Sequence, residues 1–73
     1  MDYEEALDLC DEIVEGCGVI PDEGEDFAES VREKTESMRE WIASKRVVTP
    51  KMEMALVNMK RGVDNWRHDG RRR

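Results

Sequence analysis

TPKMEMALVNM, residues 49–59, opens a helix and shows what that helix buries. The Thr49 hydroxyl is suited to accept from a free N–H of a first helical turn, and Pro50 fits a first turn, where its missing N–H costs nothing. Apolar residues then return at Met52, Leu56, Met59, Val63 and Trp66, with Ala55 alongside. Alternating steps of four and three place them on one face, the pattern of helices packed side by side. Met52 and Met59 are flexible fillers suited to a shallow core, whereas Met54 falls off the seam and is expected to face outward. Asp69 and Gly70 are expected to end this helix.

Upstream, KRVVT is a tight connection, and before it a second helix is predicted from about Gly24 or Glu25 to Lys45. Its stripe is Phe27, Val31, Met38, Trp41 and Ile42, with Ala28 beside it; Lys34 and Thr35 interrupt it. Glu29, Arg32 and Glu36 are spaced to pair on its wet face. An N-terminal helix starts after Asp2, with Glu5 completing a capping-box-like pair. It presents Tyr3, Ala6, Leu7, Cys10, Ile13, Val14 and Cys17, with Leu9 off the stripe. GCGV is expected to end it through a glycine in the left-handed conformation, and Pro21 opposes a restart. The chain is therefore predicted to be all-α. It forms a small three-helix domain, an antiparallel helical hairpin (about 25–45 and 50–68) plus an N-terminal helix (about 3–15). Residues 1–69 make one domain, and 70–73 a basic flexible tail.

With 73 residues, a domain buries only about 60% of its unfolded surface, so the core is thin and a large internal cleft is not expected. No apolar run approaches the length that spans a bilayer. The N-terminus is acidic and amphipathic without a basic leader, which argues for a cytoplasmic protein. Cys10 and Cys17, on one continuous helix, would stand roughly 10 Å apart, too far for a disulfide. Gly16 and Gly18 interrupt that helix, which leaves a bridge open; the simpler reading makes Cys10 a core residue and Cys17 part of a cap. Two cysteines and the lone His68 lack paired zinc-ligand spacing, so no metal is expected. His68 reads as a helix-end residue, favourable near the negative end of the dipole. No Gly-rich phosphate loop is present, and DEGED lacks the length of a calcium loop. No cofactor and no enzyme activity are expected.

Charge is more informative. Residues 1–29 hold twelve acids and no Lys or Arg, whereas residues 41–73 hold nine bases and three acids, although the total is −6. The chain is electrically two-ended, which suggests steering toward a charged partner. Lys60, Arg61, Arg67, His68, Arg71, Arg72 and Arg73 are the candidate partner-binding residues at the basic end. Glu4, Glu5, Asp8, Asp11, Glu12 and Glu15 form a candidate acidic face that could imitate a phosphate backbone. Arg71–Arg73 alone would neutralise about three phosphates, a modest and salt-sensitive contact, and the acidic remainder would repel the same polymer.

EDFAESVREKTESMREWI followed by VVTPKMEMALVNMKRGVDNW resembles a pattern in small uncharacterised bacteriophage proteins. In these, a Phe-Ala-x-Ser-Val helix joins through a Val-Thr turn to an Ala-Leu-x-Asn-Met helix ending near Gly-Val and Trp. The matching positions are Phe27, Ala28, Ser30, Val31, Trp41, Ile42, Val48, Thr49, Ala55, Leu56, Asn58, Met59, Gly62, Val63 and Trp66, across roughly residues 25–67. Where those proteins commonly carry Gln, this chain has Met52, and HDGRRR lies outside the pattern. The resemblance implies a helical fold, a phage origin and the cytoplasm of a host bacterium. The matching residues are mostly apolar, caps or turns and carry no function. A small, charge-polarised, cofactor-free phage protein nevertheless resembles those that phages use to redirect host machinery. The expected role is therefore a small regulatory protein that binds a host protein machine, RNA polymerase above all, to inhibit transcription or suppress termination. The alternatives are an inhibitor of a bacterial defence nuclease acting through the acidic face, and a direct nucleic-acid-binding protein. A homodimer is compatible with an exposed methionine or tryptophan.

Overall fold

Thr49 caps its helix: the Met52 amide donates to the Thr49 hydroxyl at 3.1 Å. In the computed structural model, which describes the backbone of residues 1–72 and the side chains of residues 1–66, this third helix, α3, runs Pro50–Arg72. Its backbone therefore continues past the Asp69–Gly70 pair expected to stop it. The first helix, α1, is Tyr3–Cys17, and its N-cap Asp2 accepts from the Glu5 amide at 2.9 Å. A single 3-10 turn, Asp22–Gly24, leads into α2, Glu25–Lys45. The architecture is the all-α, three-helix arrangement that the apolar spacing predicts, with no strand among the described residues.

Four contacts set the helix directions. The Met1 α-amino group lies 3.6 Å from Glu53, and Glu12, Glu15 and Lys60 line one shallow depression, so α1 and α3 run in the same direction. Asp11 pairs with Arg39, and Thr35 meets Met59, so α2 runs antiparallel to both. α1 is the helix against which the other two pack; α2 and α3 touch each other much less. The pair α2–α3 is an antiparallel hairpin, as its short connection requires, yet α1 holds it together.

This arrangement explains the width of α1's apolar face. Ala6, Cys10, Ile13 and Cys17 are buried in the centre of the molecule with Ala28, Val31, Ile42, Leu56 and Val63. Leu9, off the expected stripe, packs against this cluster, as do Tyr3 and Leu7. A helix touched on two sides needs apolar residues on both flanks of its stripe. The seams of α2 and α3 hold with one exception. Trp41 is 37% exposed, whereas Trp66 turns inward against Phe27, ring centroids 6.4 Å apart. Trp66 is seated over Gly24, where a Cβ would come within 3.1 Å of the indole and 2.7 Å of Ile20. Gly62 likewise lets the Phe27 ring approach α3, since a Cβ there would stand 2.9 Å from it.

Thr35, expected to interrupt the α2 seam, is instead fully buried within it. Its hydroxyl donates to the Met59 sulfur at 3.8 Å. The thioether is a weak acceptor, but a buried hydroxyl without a partner costs more than a weak bond returns. Met59 is therefore more than filler.

The expected left-handed glycine cap is absent: Gly18 ends α1 with φ −69°. The left-handed residue is Arg46, φ 57°, which closes α2 through its amide to the Ile42 carbonyl. An L side chain in that region costs on the order of 1 kcal/mol. Arg46→Gly is expected to raise stability by about 0.5–1 kcal/mol, measured as a higher midpoint in chemical denaturation. Met59→Leu is expected to cost about 1 kcal/mol by leaving the Thr35 hydroxyl unpaired, and Thr35→Val in that background to recover most of it. A double-mutant cycle showing additive effects would rule that coupling out.

Candidate functional site

The six acids singled out on α1 share one side of the helix. At 100° per residue, Glu4, Glu5, Asp8, Asp11, Glu12 and Glu15 fall within an arc of about 120°. All six are exposed, opposite the buried Ala6, Cys10, Ile13 and Cys17. The arc exists because the same spacing that gathers the apolar residues on one side gathers the intervening residues on the other. Between Glu4 and Glu15 the helix rises about 16 Å, giving a carboxylate roughly every 3 Å of axis. One strand of B-DNA carries a phosphate about every 3.4 Å. Asp11 is partly engaged, since its Oδ1 accepts from Arg39 Nε at 2.9 Å. Both groups are largely exposed, so this pair contributes at most about 1 kcal/mol.

The basic candidates divide. Lys60 donates to both carboxylate oxygens of Asp64 at 2.9 Å, so its charge is already matched. Arg61 is exposed. The side chains of Arg67, His68, Arg71 and Arg72, and all of Arg73, lie outside the described residues, as does the expected mobility of residues 70–73. The pairing of Arg32 with Glu29 and Glu36 is not formed.

The two-ended charge of the sequence takes a different form in space. Because α1 runs alongside α3, the acidic start of α1 shares an end of the molecule with Lys45, Arg46 and Lys51. The acidic Asp22–Asp26 segment lies at the other end, where Gly24 meets Trp66 of α3.

α1 continues through Gly16 to Cys17, so Cys10 and Cys17 sit on one continuous helix, and both are free thiols. Cys17 is a core residue as much as a cap residue. Burial pushes the Cys10 thiol above its ordinary pKa, with Arg39 opposing and Asp11 adding to the rise. Burial also raises Cys17, against the pull of Arg32. Among the described residues no cluster of His, Cys, Asp and Glu is disposed to hold a metal ion, and no helix is long and apolar enough to cross a membrane. Comparison with protein-family models, curated proteins and solved structures yields no match.

A thiol held above its ordinary pKa carries little of the reactive thiolate at neutral pH. Alkylation of native protein by iodoacetamide at pH 7.5 is expected to be at least about tenfold slower than in denaturant, with both cysteines reacting only on unfolding. Rapid labelling of either residue in native protein, read by mass spectrometry, would contradict this.

Proposed function

We propose that this protein is a small regulatory protein that binds a bacterial protein machine through the acidic face of α1, with RNA polymerase the favoured target and altered transcription the outcome. The observation that carries the reading is the arc of exposed carboxylates opposite the core, whose axial charge spacing approaches that of a nucleic-acid strand. Surfaces that hold nucleic acid are basic, and such an arc offers them a substitute on a helix whose backbone is already formed. The resemblance of residues 25–67 to small bacteriophage proteins directs the reading to a host target, and RNA polymerase presents extensive basic surface. The arginines of the α3 terminus are assigned to nucleic acid held by that partner. A second reading shares the same face: inhibition of a defence nuclease by occupation of its nucleic-acid groove.

Capture from bacterial lysate with tagged protein tests both readings. RNA polymerase subunits are expected to be enriched over a charge-matched helical control. Changing Glu4, Glu5, Asp8, Glu12 and Glu15 to Gln or Asn is expected to lower that enrichment at least about tenfold, while the far-ultraviolet circular dichroism stays helical. Enrichment of a nuclease in place of polymerase selects the second reading. Capture unaffected by both the substitutions and added salt rejects the acidic face altogether.

A further inference from the structure

We infer that the side of the molecule where α2 and α3 run together, away from α1, docks an acidic, amphipathic segment of a partner protein. This surface is distinct from the α1 face and does not depend on the reading given above.

The helical register defines the surface. Phe27 on α2 stands against Gly62 and Trp66 of α3, so the edge of α2 that continues from Phe27 at helical spacing borders α3. Along it follow Ser30, Lys34, Trp41 and Lys45. The facing border of α3 carries Lys51, Met54, Asn58 and Asn65, with Arg61 just outside it. In a chain of net charge −6 with 18 acids, neither border holds an acidic residue among the described residues. The acids of α2, among them Glu29, Glu33, Glu36 and Glu40, lie on the side turned away from α3. Lys34, Lys45 and Lys51 are exposed and form no ion pair among the described residues. Glu53, the acid closest in sequence to Lys51, is occupied by the Met1 α-amino group.

Exposed apolar side chains lie toward one end of the same side. Trp41, Val47 at 50% and Met54 at 67% exposure are among the few large apolar side chains left in water. The antiparallel register, set by Thr35 against Met59 and Phe27 against Gly62, brings Trp41 level with the first turn of α3. The exposed indole and Met54, with Val47 in the connection between the helices, thus stand at the end of the molecule that also carries the exposed Lys45, Arg46 and Lys51. Such an apolar set with cations close in register has the composition of a protein-binding spot.

The occupant follows from what each candidate would bring. A second copy would offer the α1 carboxylates with Val19 beside Glu12 and Glu15, too small an apolar contribution to cover Trp41, Val47 and Met54. A nucleic acid would find one aromatic ring to stack on, beside two aliphatic side chains that bases do not stack on, and would be repelled by α1 along its length. A protein segment with carboxylates on one side and apolar residues on the other satisfies both the cations and the apolar set.

The test uses full-length protein and a synthetic helical peptide of about 15 residues with Leu and Phe on one face and Glu elsewhere. Comparators are its Glu-to-Lys counterpart, oligoglutamate of equal length and a single-stranded oligodeoxythymidine. Fluorescence anisotropy at low salt reports affinity, amide chemical-shift mapping reports the site, and sedimentation of the protein alone reports self-association. The acidic amphipathic peptide is expected to bind best and to shift Trp41, Lys45–Val48, Lys51 and Met54. Lys45→Glu with Lys51→Glu should weaken it by about tenfold, and Met54→Ser by about threefold. Helical circular dichroism checks that these exposed substitutions leave the fold intact; the shift map on unsubstituted protein stands without them. Failure of that peptide to saturate, tighter binding of the oligonucleotide, shifts confined to α1, or self-association through this side would each overturn the inference.

Discussion

The buried face of α1 is the contact on which the rest depends. Ala6, Cys10, Ile13 and Cys17 form a wall shared by α2 and α3, and without it those two helices would keep only a narrow seam between them. Full burial of side chains such as Ile13, Ile42, Leu56 and Val63 contributes roughly 1.5–3 kcal/mol each before conformational entropy is set against it. The ion pairs between Asp11 and Arg39 and between Lys60 and Asp64 sit near the surface and contribute a fraction of that. Stability thus comes from one apolar seam with two sides, and the charges are left over for other work.

Direction follows from the same wall. Since α1 packs alongside α3 and α2 returns between them in sequence, acids concentrated in the first part of the chain end up along one outer side. The seam between α2 and α3 faces elsewhere and is free of described acids. The structure turns a charge gradient along the sequence into two surfaces of different character on one small body, a carboxylate arc on α1 and a cationic, partly apolar seam between α2 and α3. A rigid domain with two such surfaces is suited to contact two macromolecules, or two regions of one.

Much of this was legible in advance. The three helices, their approximate limits, the caps at Asp2 and Thr49 and the outward Met54 follow from spacing and residue chemistry. The acidic arc was legible too, because helical periodicity sorts exposed residues as surely as buried ones. Thr35 and Trp41 were not: a threonine reads as polar until a methionine sulfur on another helix is found beside it, and a tryptophan reads as core until its edge is seen to lie outside the seam. Leu9 falls outside a single-stripe pattern because that pattern assumes one neighbouring helix, and α1 has two. Glycine chemistry pointed to a left-handed cap near Gly16 and Gly18, whereas the tight connection after Lys45 placed that conformation on Arg46.

The amino-acid order alone determined that helices form, where each starts and most of the residues each turns away from water, because these depend on intervals of three and four within one segment. Only the tertiary structure decided that α1 lies between the other two in the packing, that it runs parallel to α3, and that cations of α2 and α3 face one seam that holds no acid among the described residues. Those outcomes depend on pairings between residues far apart in sequence, such as Asp11 with Arg39 and Thr35 with Met59. Local periodicity contains no information about them.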